Sequence, residues 1–272
     1  MDAAPLRTYR RYVAVGDSFS EGIDDPDPRT PGRHRGWADR LAELLDDDAR
    51  AAGRSLEYAN LAVRGKRMRE VLDEQLPRAL ALAPDLLSIS AGGNDILRPS
   101  VDVDALATSL DDAVGTARTA GAQVLLCAGF DPVGLPVVRM TRGRVATFNL
   151  HVWRIAQRWD ALVLDLWSMR ALYDLRLWAP DRIHLAPQGH ERVALLAAAT
   201  VRGLHGGELG EAERLWSTPL PPQPSPTRLA RAGQDAAWAR THLAPWVRRR
   251  LEGRSSGDGL TAKRPDPLPL DR

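Results

Sequence analysis

Along the first 205 residues, apolar runs of strand length alternate with segments of helical period, which restricts the chain to few architectures. The runs fall at residues 12–15, 55–60, 86–90, 123–129 and 161–166. Between them, residues 37–45, 68–82, 103–120, 143–158 and 187–204 carry apolar side chains at helical spacing, as in Trp37, Leu41, Leu44 and Leu45. Pro77 should kink or divide the second of these helices, because it lacks the N–H that a helix interior needs. Strand and helix in strict alternation predict βαβ units, a parallel sheet and a three-layer α/β/α domain over residues 1–205.

The chain then changes character. Residues 206–227 read as a proline-rich linker, stiff and extended around Leu220-Pro221-Pro222-Gln223-Pro224-Ser225-Pro226. Residues 228–252 regain a helical pattern with Trp238, Leu243, Trp246, Val247 and Leu251 as apolar points and Pro245 as a break. This basic, Trp-bearing C-terminal helix suits a membrane surface or a partner. Its apolar positions are too few for a wide lipid-facing stripe, so we expect it to dock on its own domain. Residues 253–272 are polar and rich in Gly and Pro, and they read as a mobile tail.

Composition narrows the function. A hydrophobic fraction of 44%, a charged fraction of 26% and a net charge of +2 describe an ordinary globular protein with no nucleic-acid footprint. The basic residues are almost all Arg, with Lys only at Lys66 and Lys263. Cys127 stands alone inside an apolar run, which supports neither a disulfide nor a Cys-rich metal site. No apolar stretch precedes the first strand and none is long enough for a membrane span. The expectation is a cytoplasmic protein acting on a small molecule, its oligomeric state left open by the sequence.

Four motifs carry the chemistry. Gly16-Asp17-Ser18 follows the first strand, Gly65 follows the second, Gly92-Gly93-Asn94-Asp95 follows the third, and Asp181-Arg182-Ile183-His184 lies in the last loop before a helix. All four therefore fall on one rim of a parallel sheet, where open α/β folds keep their sites. A serine hydroxyl needs a base within hydrogen-bond reach and a third group to orient that base. Asp181 and His184 are three residues apart, so one tight turn brings carboxylate to imidazole while the other ring nitrogen faces Ser18. Asn94 can supply a side-chain amide, and Gly65 and Ser18 backbone N–H groups, to a developing oxyanion.

These motifs resemble the sequence blocks of the SGNH (GDSL-type) hydrolase superfamily, with Phe19 where many members have Leu. The resemblance covers the whole α/β domain. It implies a flavodoxin-like sandwich with a five-stranded parallel sheet. It further implies Ser18 as nucleophile, His184 as base, Asp181 as its partner, and an oxyanion hole from Ser18, Gly65 and Asn94. The activity to expect is serine ester hydrolysis through an acyl-enzyme, without cofactor or metal. Lacking a lid-like apolar insertion, the chain is expected to take short acyl esters, acetyl to butyryl. Leu135, Val137, Val138, Leu175, Leu177 and Trp178 are the expected pocket lining. The alternatives are acyl transfer from the same intermediate and a non-catalytic interaction protein.

Several residues read as structural. His190 should pack or cap, and His34, His151, His205 and His242 lack metal-ligand spacing. Asp17 should order the serine turn and Asp95 should brace the Asn94 loop. Arg64 and Arg98 stand on the rim, as surface residues or as contacts for an anionic or sugar group. Gly253-Arg254-Ser255-Ser256-Gly257 matches the nucleophile-elbow pattern but lacks its flanking strand and helix.

Overall fold

A computed structural model describes residues 8–135, 138–204, 209–224, 227, 233, 235–243, 245 and 256–270. Five parallel strands form where the apolar runs predict them: β1 (Arg11–Gly16), β2 (Glu57–Asn60), β3 (Leu86–Ser90), β4 (Gln123–Ala128) and β5 (Leu162–Asp165). Their spatial order is β5-β4-β3-β1-β2, the doubly wound order in which the connections reverse direction between β1 and β3. Ligands of such sheets bind beyond the strand carboxyl ends at that reversal. Ser18 follows β1 and Asn94 follows β3, so both stand there.

The helices are α1 (Ser18–Glu21), α2 (Gly36–Ala51), α3 (Met68–Glu70), α4 (Leu76–Ala81), α5 (Gly93–Ile96), α6 (Val103–Thr119), α7 (Arg142–Trp159), α8 (Pro187–Arg202) and α9 (Glu211–Arg214). Alternate residues of β1 feed opposite layers. Tyr12 and Ala14 pack with Trp37 and Leu41 of α2 and Val193 and Ala197 of α8. Val13 and Val15 pack with Leu110 and Val114 of α6 and Phe148 and Val152 of α7. Pro77 divides the second helical segment as expected. A π-helical turn, Val71–Gln75, separates α3 from α4, and Pro77 sits in the first turn of α4, where no N–H is needed.

The sheet has a sixth strand, which corrects the five-strand count and lies within residues 253–272, where the sequence reads as a tail. β6 (Arg264–Pro269) pairs antiparallel with β2, Glu57 opposite Pro269 and Tyr58 opposite Leu268. Its sequence, Arg264-Pro265-Asp266-Pro267-Leu268-Pro269, reads as a loop because proline cannot donate to a ladder. On an edge strand, though, only alternate N–H groups face the one neighbour, so prolines at every second position are tolerated. They also block further pairing at the open edge.

The linker is tied to the domain. Arg192 donates to the Leu215 and Thr218 carbonyls, and Arg176 to the Pro221 carbonyl at 3.0 Å. Of the expected C-terminal helix, residues 235–238 are α-helical and run into a π-helical turn, Ala239–Leu243. Trp238 is buried. Trp246, Val247 and Leu251 lie outside the described residues, as do His205 and Gly253-Arg254-Ser255 of the elbow-like stretch. No described helix is long and apolar enough to cross a membrane.

Candidate active site

β1 ends at Gly16, whose N–H donates to Gln75 Oε1 at 2.8 Å and whose carbonyl accepts from Gln75 Nε2 at 2.9 Å. The buried amide of Gln75, at the end of the π-helical turn, thus fixes the point where the chain leaves the sheet. Asp17 accepts from Phe19 N at 3.0 Å and caps α1, so Ser18 is the first residue of a helical turn. Gly22 closes that turn at φ +87 and touches Gly36 backbone to backbone, a contact without room for a side chain on either residue.

Asp181 organises its own loop. Its Oδ1 accepts from Ile183 N at 2.9 Å and His184 N at 3.0 Å, which leaves Oδ2 for His184 Nδ1 at 2.6 Å. His184 Nε2 lies 3.0 Å from Ser18 Oγ. Three residues chosen from the sequence therefore form one hydrogen-bonded chain across 166 positions. Burial opposes the charge on both partners, yet each holds the other charged: Asp181 lies below the usual carboxylate range and His184 above the usual imidazole one.

Asp24 is a residue the sequence reading missed. Its Oδ2 lies 3.6 Å from His184 Nδ1, beside Asp181, and its charge further favours the imidazolium. Asp24 occupies the left-handed region at φ +68, which aspartate tolerates better than most residues. No local motif announces it, because its proximity to His184 arises only from folding. Asp24, Asp181 and His184 are the one described group in which three metal-ligand atoms approach one another closely. Since His184 Nδ1 already serves Asp181, the group acts as a charge cluster.

The oxyanion candidates are held by α1. Asn94, in α5, donates to Asp17 Oδ2 at 3.1 Å and to the Lys66 carbonyl at 2.9 Å. Gly65 adopts φ +76, and the preceding Arg64 donates its N–H to Glu21 Oε2 at 2.6 Å while its guanidinium pairs with the same carboxylate. Arg64 is thereby a structural residue rather than a free substrate contact. Asp95 accepts from Met68 N at 2.8 Å and ties the Asn94 turn to α3. Burial raises the Asp17 carboxyl to about 6.

A cavity of about 180 Å³ opens beside Ser18. Its walls are mostly apolar, with Ile96, Phe130, Val138, Val145, Phe148 and Leu166 among them. Of the lining expected from sequence, Val138 is there. Leu135, Leu177 and Trp178 are buried in the domain core and Leu175 is exposed, because the loops after β4 and β5 fold back onto the sheet. Val137 lies outside the described residues.

Other expectations resolve locally. His190 accepts from Trp37 N at 3.2 Å through Nδ1, and its Nε2 faces the Ile23 carbonyl at 3.2 Å, a structural bridge between α8 and the start of α2. Burial pushes it down to about 4, so it stays neutral. Cys127 lines the cavity, its thiol pushed up to about 12 by burial, which removes it as a nucleophile. His151 pairs with Asp104 at 2.8 Å.

With this geometry in view, the comparison with known proteins is decisive on family. The sequence profile of the GDSL-like Lipase/Acylhydrolase family matches residues 14–192, more than half of the chain. The chain belongs to this family. It is therefore a carboxylic-ester hydrolase. Several solved structures share its fold. TesA is 24% identical with a TM-score of 0.58, covering 72% of this chain and 100% of its own. Axe2, an acetylxylan esterase from Geobacillus stearothermophilus, is 18% identical with a TM-score of 0.59, covering 73% and 96%. LAE5, an alpha/beta hydrolase enzyme from the metagenome of Lake Arreo, Spain, is 20% identical with a TM-score of 0.60, covering 75% and 100%. No curated protein matches the chain. The GDSL span ends at Arg192, so the linker, the Trp238 helix and β6 all lie beyond it.

Proposed function

We propose that this GDSL-family chain is a serine esterase for aliphatic acyl esters, with Ser18 as nucleophile, His184 as general base and Asp181 as its orienting carboxylate. The observation that carries the reading is the chain Ser18 Oγ to His184 Nε2 at 3.0 Å and His184 Nδ1 to Asp181 Oδ2 at 2.6 Å. Ser18 Oγ attacks the ester carbonyl as its proton passes to His184 Nε2, and Asp181 holds the imidazolium that forms. Collapse of the tetrahedral intermediate expels the alkoxide, which takes the proton from Nε2. Water then repeats the sequence on the acyl-enzyme and releases the acid and free Ser18.

The oxyanion is met by the N–H groups of Ser18 and Gly65 and by Asn94. Both Asn94 amide protons already have acceptors, Asp17 and the Lys66 carbonyl. The oxyanion therefore shares the proton directed at Asp17. This fixes the Asn94 amide before the reaction begins, which is the preorganisation such stabilisation depends on.

The cavity moves the substrate expectation upward from acetyl and butyryl. An apolar cavity of about 150 Å³ accommodates benzene, so one of about 180 Å³ takes an acyl chain of roughly six carbons. Its walls offer little to the hydroxyls of an acetylated sugar. The test is hydrolysis of p-nitrophenyl esters from acetate to palmitate by wild type and Ser18→Ala. Turnover peaking near hexanoate and absent in Ser18→Ala is expected. An optimum at acetate would contradict the acyl pocket, and turnover surviving in Ser18→Ala would contradict the nucleophile.

A further inference from the structure

Chain beyond the GDSL span touches each of the three loops that carry the proposed chemistry. On the Ser18 side, Lys263 Nζ donates to the Glu21 carbonyl at 2.6 Å, closing the end of α1. The same ammonium reaches the His34 carbonyl at 2.9 Å, the Arg35 carbonyl at 3.0 Å and Asp39 Oδ2 at 2.6 Å. Three backbone carbonyls and a carboxylate around one point suit the compact ammonium of lysine and not the planar fork of arginine. That is notable in a chain with only two lysines among its 37 basic residues.

On the Gly65 side, Gly257 is buried against the carbonyl of Arg64, and a side chain there would overlap that oxygen. Arg64 is the residue that Glu21 grips and that precedes Gly65. On the histidine side, Arg182 stands between Asp181 and His184 at φ +57, a conformation disfavoured for a long side chain. Its guanidinium pairs with Asp235 at 2.6 Å and lies over the ring of Trp238, 5.3 Å from the centroid. The three solved structures compared above cover 72–75% of this chain while being covered almost completely themselves, so about a quarter of it has no counterpart in them.

We propose that the C-terminal segment is a strap that sets the relative positions of the Ser18, Gly65 and His184 loops, with Lys263, Gly257 and Trp238 as its positioning residues. Their role rests on Ser18 being the nucleophile. The strap works through the backbone on two loops and through Arg182 on the third. Its removal leaves every catalytic side chain present but displaced, and displacement of about 1 Å costs on the order of a hundredfold in rate.

The test compares Gly257→Ala, Lys263→Met and Trp238→Leu with wild type in full-length protein, by kcat, KM, pH profile and Tm on p-nitrophenyl hexanoate. Gly259→Ala is the control: Gly259 is two positions after Gly257, has φ +76 and has open space around it, so Ala there strains the turn without touching Arg64. We expect each strap variant to lose about ten- to a hundredfold in kcat with KM within about twofold. Trp238→Leu alone should also move the acidic limb of the profile, because it alone acts on the His184 loop. Gly259→Ala should lower Tm and keep kcat. If the strap variants keep wild-type kcat at temperatures where they are folded, the segment only stabilises the fold and the proposal is overturned. If one variant fails to fold, the other two decide by the same readout. A wild type without turnover on any ester overturns the Ser18 reading first and the strap with it.

Discussion

His184 and His190 stand six positions apart on either side of the start of α8 and line the same cavity, His184 half-buried and His190 buried. Their chemistry diverges completely. His184 faces Asp181 and Asp24, which outweigh its burial and raise its affinity for a proton. His190 receives a backbone N–H from Trp37, and its burial outweighs both the Ile23 carbonyl and the Asp25 charge, which Arg40 and Lys263 oppose, so it is pushed down to about 4. The role of a buried histidine is set by what faces its second nitrogen: a carboxylate makes a base that can carry a proton, and backbone groups make a neutral strut.

The largest effect should come from removing the base. His184→Ala is expected to lower kcat by about 10⁶-fold with the fold intact, measured on p-nitrophenyl hexanoate. His190→Ala should leave at least a tenth of the activity and show its effect in stability. Comparable losses in the two variants would erase the distinction between them.

Next comes Asp181→Asn, which exchanges the acceptor for an amide. Loss of the orienting carboxylate costs up to about 10⁴-fold in serine proteases. With Asp24 within 3.6 Å of Nδ1, the loss here should be smaller, about 10²- to 10³-fold, and the double variant with Asp24→Asn should lose about tenfold more. Equal activity of the single and double variants would remove Asp24 from the account.

The fold was legible where local pattern and tertiary demand agree. The five parallel strands read directly because strands buried on both faces are near-continuous apolar runs. The hydrogen-bonded chain Ser18–His184–Asp181 read directly because its members lie in two short motifs, one at the end of β1 and one in the loop before α8. β6 was hidden by Pro265, Pro267 and Pro269, whose compatibility with a strand depends on its being an edge. The pocket lining was misjudged at Leu175, Leu177 and Trp178, since sequence distinguishes apolar residues from polar ones but not a loop that turns inward from one that lines a cleft. Asp24 and Arg182 escaped notice because their importance consists of contacts with distant chain.

A third way to separate the histidines is stability against pH. His190 has its proton affinity lowered on folding, so the unfolded chain binds the proton first. Its contribution is complete above about pH 6.5 and is lost as pH falls toward 4, worth up to about 3 kcal/mol. His190→Gln should flatten the acid side of the stability curve measured by denaturant unfolding between pH 4 and 7. An unchanged slope would contradict the neutral-strut assignment.

The smallest predicted effect is in Asp24→Asn. The general base must be neutral to accept the Ser18 proton, so kcat/KM should rise with pH through the elevated pKa of His184. Removing the Asp24 charge makes the imidazolium less favourable and lowers that pKa. The acidic limb should move to lower pH by a few tenths of a unit, about the effect of one partly exposed charge. A shift to higher pH would have the wrong sign.

The most direct test of the account is covalent labelling with a fluorophosphonate, which forms a phosphorus–oxygen bond to an activated serine as fluoride leaves. One label per chain, mapped by peptide mass to Ser18 and abolished by His184→Ala, is the predicted result. Labelling at another residue, or labelling of Ser18 that persists undiminished without His184, would contradict it.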